Sequence, residues 1–460
     1  MKKYDVIVIG SGGGAKITSP AARLGLKVAA IEREALGGTC LNRGCIPSKM
    51  LIHPADVAVQ INSAKKFDID VDTNFSVDFG KLVSRISHTV DSDSQSIAEA
   101  YKKNPNIDFY HVHASFLSNK VIKVADKEIT ADRIFIATGT RPYIPNIPGL
   151  HGTPFMTSTE ALRNTKLPRK LIVIGGGYIA AELGHAYGAL GCEVHFLVRS
   201  KLIKKEDFQV VDEFYRVFSK IYNVHLGAVP TQIKYQKGNF TVNYSDMAGG
   251  EKSITADALL VATGVTPNTD ALGLENTDIR LDSNGWVIVD SHLKATVDGV
   301  YALGDCLGKY LYRHSVNFEG EYLFRNLFTE KNNEPIKYPP MPHAIFTNPQ
   351  IAGVGMTEDE LKEAGVDYVV GLNHYRDSAM GMALLSDCGF VKLLFERFSR
   401  KLVGAHIIGD EASNMIHMLI VFMHMEATLD DLLKVIYIHP ALPEIIRNAA
   451  RKAKTAFDKS

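Results

Sequence analysis

Two cysteines separated by four residues mark the run Gly37-Gly38-Thr39-Cys40-Leu41-Asn42-Arg43-Gly44-Cys45-Ile46-Pro47-Ser48-Lys49. At that spacing the sulfurs of Cys40 and Cys45 can meet across about one helical turn and close a disulfide, a group that takes up and returns two electrons. The rival chemistry is zinc, which wants four ligands. Cys192, Cys306 and Cys388 are single and scattered. They read as small buried hydrophobes, and no metal site is expected. Near the other end His439 and Glu444 stand five residues apart in HPALPE. An imidazole whose tautomer is fixed by a carboxylate can move protons to and from a thiol.

A dithiol that cycles needs a source of electrons, and two segments of the chain read as nucleotide folds. Tyr4 to Ile9 is a short β-branched run that leads into Gly10-Ser11-Gly12-Gly13-Gly14-Ala15, a helical stretch to Leu24-Gly25 and a second strand ending at Glu32. Glycines there permit a tight turn and close approach to a pyrophosphate, which lies at the helix N-terminus. Glu32 follows Gly10 by twenty-two residues and can accept from a ribose diol. Pro20 falls inside this helix, where a kink is expected. The pattern recurs at Leu171 to Ile174, Gly175-Gly176-Gly177-Tyr178-Ile179-Ala180, a helix to Leu190-Gly191, and the strand EVHFLV. At the end of this strand stand Val198 and Arg199 in place of an acid, with Lys201, Lys204 and Lys205 close behind. A cationic cluster suits a 2′-phosphate, so NADP(H) is favoured over NAD(H).

These motifs set the organisation of the 460 residues. Each fold is followed by a strand closing in ATG, Ala137-Thr138-Gly139 and Ala262-Thr263-Gly264. The second fold lies between them, so the first is interrupted and resumes after it, finishing near YALGDC at 301–306. From Tyr338 the composition changes, and runs such as FVKLLFE and KLVGAHIIG alternate with helices. The expected fold class is α/β: two Rossmann-like folds, the second inserted in the first, plus a C-terminal α+β domain. The divisions expected are 1–148, 149–266, 267–337 and 338–460. Lys plus Arg and Asp plus Glu both number 51, so no global field draws the chain to nucleic acid. Residues 415–425 form the longest apolar-looking run, interrupted by two histidines and well short of the ~20 residues a membrane span needs. No export signal is visible and cysteines are sparse, so a reducing, cytoplasmic setting is expected.

GGTCLNRGCIPSK, the two glycine turns, the two ATG strands, ALGD at 302–305 and HPALPE at 439–444 together resemble the flavoprotein disulfide reductases of the dihydrolipoamide dehydrogenase, glutathione reductase and mercuric reductase group. The resemblance covers essentially the whole chain. It implies that two electrons pass between NAD(P)H and a disulfide or dithiol through FAD and the Cys40–Cys45 pair, with a small-molecule or lipoyl substrate. Glu32 would bind the adenosine ribose of FAD and Asp305 the ribityl chain, with Thr39, Ala114, Thr138 and Gly139 among the flavin contacts. Lys49, paired with Glu182, would stand near flavin N5. Glu182, Tyr178, Ile179 and Gly264, with Arg199 and Lys205, would line the nicotinamide coenzyme. Cys45 would be the thiolate facing the flavin and Cys40 the thiol that attacks substrate. His439, oriented by Glu444, would shuttle the proton and come from the other subunit of a homodimer.

Several residues depart from the family patterns. HPALPE stands where dihydrolipoamide dehydrogenases usually have HPTLSE, and those enzymes usually keep an acid where this chain has Val198-Arg199. Thr18-Ser19-Pro20 stands where glutathione reductases place a substrate-holding arginine, and the C-terminus KTAFDKS carries no cysteine pair of the mercuric reductase kind. The reading is dihydrolipoamide dehydrogenase-like, the alternatives being an NADPH-dependent reductase of another thiol disulfide or of a metal ion, and a flavin NAD(P)H oxidase or quinone reductase.

Overall fold

The computed structural model describes residues 1–330, 332 and 334–459. The first fold opens with Lys2–Ile9 (β1), Ala15–Arg23 (α1) and Val28–Ile31 (β2). Gly38–Arg43 (α2), Cys45–Ser63 (α3) and Phe79–Lys103 (α4) follow, then Ile107–Tyr110 (β3), Ala114–Ser118 (β4), Val121–Val124 (β5) and Lys127–Ile136 (β6). The sheet runs β3-β2-β1-β6-β5-β4, with β3, β2, β1 and β6 parallel. Parallel strands covered on both faces need apolar residues throughout rather than in alternation. Val6, Ile7, Val8 and Ile9 are accordingly all buried. Pro20 lies within α1, and the helix runs on past it to Arg23. The missing donor leaves the Lys16 carbonyl without its helical partner.

Thr140–Pro142 (β7) carries the chain out of this sheet toward Ser158–Ala161 (α5) and the second fold. That fold contains Lys170–Ile174 (β8), Tyr178–Ala189 (α6), Glu193–Val198 (β9), Phe208–Ile221 (α7) and Asn223–Leu226 (β10). An antiparallel sheet of Val229–Gln236 (β11), Asn239–Ser245 (β12) and Glu251–Ala256 (β13) precedes Ala258–Val261 (β14), which joins the parallel order β10-β9-β8-β14. The chain returns through Val265–Pro267 (β15), paired antiparallel with β7, so exit and re-entry lie side by side. Val300–Ala302 (β16) then pairs with β6 in the first sheet, and Arg313–Phe324 (α8) packs on α1.

Both folds solve the same steric problem in the same way. Gly10 has φ +100° and Gly175 φ +138°, and a Cβ on either would lie 2.2 Å from a carbonyl oxygen, that of Ala137 or of Ala262. Those are the alanines of the two ATG tripeptides. The strand closing each fold thus presses on the turn that must receive a phosphate, and only glycine fits between them.

The C-terminal region is an antiparallel sheet ordered β17-β18-β21-β20-β19. Its strands are Pro342–Ile345 (β17), Gln350–Gly355 (β18), Tyr368–His374 (β19), Phe390–Glu396 (β20) and Leu402–Gly409 (β21), with short helices Glu358–Glu363 (α9) and Ala379–Ala383 (α10) between them. Ala412–His424 (α11) lies over β18 and β21, while Leu429–Lys434 (α12) leads toward Glu444–Lys459 (α13), which covers β19 and β20. Met415, Ile416, Leu419 and Met423 turn inward from α11 and His417 and His424 outward, giving an amphipathic helix against the sheet. Among the described residues no helix is long and apolar enough to cross a membrane.

Candidate active site

The dithiol sits where α2 meets α3. Cys40 belongs to the first helix, Cys45 opens the second, and Gly44 parts them. A Cβ on Gly44 would come within 2.8 Å of the Thr39 carbonyl oxygen, so glycine allows the reversal that brings the two sulfurs together. Asn42 braces the segment from below, its amide donating to the carbonyls of Leu36 at 2.9 Å and Gly38 at 3.0 Å. Ser94 of α4 donates to Leu36 O at 2.7 Å.

The two thiols are chemically unequal. A hydrogen bond donated by Cys40 pulls Cys45 down to about 7 against the opposing effect of burial, and the Lys49 charge adds to the pull. The same bond, together with burial, pushes Cys40 well above the ordinary thiol range, and the nearby Arg313 only partly offsets this. Both directions favour the thiolate on Cys45 and the proton on Cys40. Lys49 Nζ lies 2.7 Å from Glu182 Oε2 and 4.4 Å from the centroid of the Phe346 ring. Glu182 is buried, and its other oxygen accepts from the Phe346 N–H at 2.9 Å. One carboxylate thus ties the dithiol helix, the second fold and the C-terminal region together.

These groups open on a cavity of about 590 Å³. Gly10, Gly12, Gly13, Glu32, Thr39, Cys40, Cys45, Lys49, Ala114, Thr138, Gly139 and Asp305 line it from the first fold, and Tyr178, Ile179, Glu182 and Gly264 from the second. Ala15, the first residue of α1, lies behind the glycine turn and off this lining. Gly175 and Gly177 form the turn of the second fold, with Arg199 and Lys205 exposed beyond β9, all outside the cavity. Among the described residues Arg199, Lys201, Lys204 and Lys205 have no carboxylate in ion-pair contact, and no three His, Cys, Asp or Glu side chains are grouped so as to hold a metal ion.

His439 and Glu444 also lie outside the cavity within one chain. Glu444 is buried at the start of α13, and its Oε2 meets His439 Nδ1 at 2.9 Å. The opposite oxygen receives Arg447 at 2.7 Å. Burial would raise the Glu444 carboxyl, yet the His439 bond, the Ala441 N–H and the charges of His439 and Arg447 together outweigh it and hold the group below its usual range. With Nδ1–H donating to the carboxylate, Nε2 is left as the base, on a side chain 70% exposed. The proline of HPALPE is accommodated: Pro443 immediately precedes the first residue of α13, where no helical donor is needed. Val435, Ile436 and Ile438, just before the histidine, are exposed apolar side chains.

Some participants carried no signal in the sequence. Ser11 donates both its N–H, at 2.9 Å, and its hydroxyl, at 2.7 Å, to Glu32 Oε2, fixing the acid at the strand end. Thr140 meets Asp305 at 3.3 Å, and Arg313, from the start of α8, lines the cavity beside Cys40. Ser11 stands inside the glycine motif, but Arg313 is far from any motif and only the fold brings it in.

A dithiol with one stabilised thiolate, set between two nucleotide folds, is the arrangement of a pyridine nucleotide–disulfide reductase. Residues 4–320 match the family model for pyridine nucleotide-disulphide oxidoreductases, and residues 341–450 the dimerisation domain of the same family. The protein belongs to that family and is a flavoprotein disulfide reductase. It is 36% identical to a mycothione reductase of Mycobacterium tuberculosis, covering 98% of this chain and 99% of that protein. A dihydrolipoyl dehydrogenase of Rhizobium etli is 32% identical over 98% of each chain. Among solved structures, the HOCl-induced flavoprotein disulfide reductase RclA from Escherichia coli superposes with a TM-score of 0.86 at 26% identity, covering 97% of this chain and 99% of the other. The family depends on FAD and uses a pyridine nucleotide. The cavity suits FAD: the Thr138 hydroxyl is buried there without a hydrogen-bond partner, and burial pushes Asp305 up to about 6. Both are polar groups that the hydroxyls of a ribityl chain would satisfy.

Proposed function

We propose that this protein is an NADPH-dependent reductase of a low-molecular-weight thiol disulfide, acting as a homodimer in a reducing, cytoplasmic compartment. The observation that carries the coenzyme choice is the strand end at Val198-Arg199, where a cationic cluster free of carboxylate partners replaces the ribose-binding acid. Bound FAD supplies the two-electron relay between nicotinamide and dithiol.

The chain's own residues divide the remaining work. Glu32, Thr138 and Asp305 hold the flavin nucleotide, while Lys49, steadied by Glu182, places its charge beside Cys45 and keeps that sulfur anionic. Cys40, once deprotonated, attacks one sulfur of the substrate disulfide and expels the first thiol. Cys45 thiolate then attacks Cys40, which releases the second thiol and restores the protein disulfide. The balance is one substrate disulfide, two electrons and two protons consumed, and two thiols produced. Because Cys40 holds its proton tightly, the step needs a base. His439 Nε2, offered outward from one subunit beside exposed Ile436 and Ile438, serves the Cys40 of its partner.

The test is a matrix of kcat/KM values: NADPH against NADH, and lipoamide against glutathione, mycothiol-like and bacillithiol-like disulfides. NADPH is expected to win by at least ~10-fold, the worth of a charge-assisted hydrogen bond to phosphate. Val198→Glu with Arg199→Ala should reverse that order, since a carboxylate accepts from a free ribose diol and repels a 2′-phosphate. A ratio in favour of NADH, with lipoamide the best substrate, would instead make this a lipoamide dehydrogenase.

A further inference from the structure

The basic loop after β9 is gripped from outside its own domain. At its centre Ile203 has φ +44°, a left-handed conformation unfavourable for a β-branched residue, and its N–H donates to Gly176 O in the glycine turn at 2.6 Å. Such strain persists only where the surroundings impose it. Leu202 and Ile203 are buried in the core, and the loop's exit is tied down as well. Glu206 Oε2 lies 2.7 Å from His343 Nε2. Asp207, wholly buried, receives Lys392 Nζ on both oxygens, at 2.8 and 2.9 Å, and also caps α7 through the N–H of Gln209. Lys392 is itself fully buried and bonds Glu358, whose N–H reaches back to Asp207 at 3.2 Å. His343 on β17, Glu358 on α9 and Lys392 on β20 all belong to the C-terminal region. Buried charges are costly unless paired, so this clamp is a committed contact between domains.

We propose that Glu206 and Asp207, held by His343 and Lys392, are positioning residues for the 2′-phosphate of NADPH. They touch no coenzyme themselves. By pinning the exit of the 200–205 loop to the C-terminal region they help to hold the loop that carries Arg199, Lys201, Lys204 and Lys205 in the conformation that receives the phosphate. The inference rests on the reading of this loop as the phosphate pocket.

The experiment uses the FAD-loaded dimer and the variants Glu206→Gln and His343→Gln, which keep side-chain volume while removing the ion pair. The KM for NADPH should rise about 3- to 30-fold, the range for residues coupled to a site through a network, while kcat with NADPH and both parameters with NADH stay within about twofold. Calorimetric binding of adenosine 2′,5′-bisphosphate should weaken by the same factor, and binding of AMP should not change. In an Arg199→Ala, Lys205→Ala background the Glu206→Gln effect should vanish, because a residue acting through the loop cannot add to its loss. If the unaltered enzyme binds the bisphosphate no more tightly than AMP, the phosphate pocket falls and the positioning role with it. If it does discriminate, but the variants shift NADPH and NADH equally, shift neither, or add fully to the Arg199 and Lys205 changes, the positioning role alone is overturned.

Discussion

At the dithiol the two sulfurs sit in unequal surroundings: the neighbouring thiol and the Lys49 charge draw Cys45 down, while the same neighbour and burial push Cys40 up, so charge is favoured on the sulfur next to Lys49. Two-electron reduction should therefore give a long-wavelength thiolate-to-flavin absorption band. Cys45→Ser should abolish the band, while Cys40→Ser, which has no disulfide to reduce, should show it already with oxidised flavin, lose it on two-electron reduction and stop disulfide turnover. A Cys40→Ser protein that still reduced disulfides at the normal rate would contradict this division. The protonated nucleophile also makes the base indispensable. His439→Gln should slow disulfide reduction by ~10² to 10⁴, the usual worth of a general acid–base group, and leave flavin reduction by the nicotinamide nearly unchanged. Rapid-reaction measurement of the two half-reactions separates these outcomes, and equal losses in both would remove the histidine from its assigned role.

Among the elements, those that announce themselves in the sequence are the ones whose constraint is local. A strand buried on both faces must be apolar along its length, and a turn pressed by a carbonyl must be glycine, so β1, β8 and the turns after them were legible from a few consecutive residues. The helix predicted through Pro20 forms with the proline inside it, its apolar side, Ile17, Ala21 and Ala22, packing under the sheet. The dithiol segment was legible for the same local reason, whereas Arg313 and the Asp207–Lys392 pair were not, because their partners are brought together only by the fold. That clamp has a pH signature. Burial lowers the His343 pKa, but the bond to Glu206 and the charges of Glu206 and Glu360 outweigh it and leave it above the ordinary 6.5. Asp207, Glu358, Lys392, His406 and, across the stacked Tyr312 ring, His314 complete the ionisable groups packed around it. A raised histidine contributes stability that is fully present below its unfolded pKa and fades as pH climbs through the folded value. The melting temperature of the unaltered protein should thus exceed that of His343→Gln most in mildly acid solution, and the gap should close toward alkaline pH. A gap that widens with pH would mean the ion pair does not form.

For the whole molecule, the dithiol cavity and the exposed His439 lie apart within one chain, and the proposed dimer is what joins them. A mixture of inactive Cys40→Ser and His439→Gln dimers should regain activity once subunits exchange, because one of the two sites in a mixed dimer then carries both intact groups. No recovery despite demonstrated exchange would indicate a self-contained chain. The antiparallel pairing of β7 with β15 has a consequence of another kind. Pro142 faces Val265 across that ribbon, so everything between them enters and leaves at a single doorway. Such a unit can be excised and another grafted in its place without rethreading the rest, the two loose ends already standing where a tight hairpin would join them. A transplanted unit would have to bring the polar groups that reach its host, among them the equivalents of Glu182 for Lys49, Glu206 for His343, Asp207 for Lys392, Glu213 for the Gly389 N–H, Arg163 for Asp91 and His185 for Asp56. The second nucleotide fold is, in that sense, a replaceable part joined at one doorway and held by a set of polar pins.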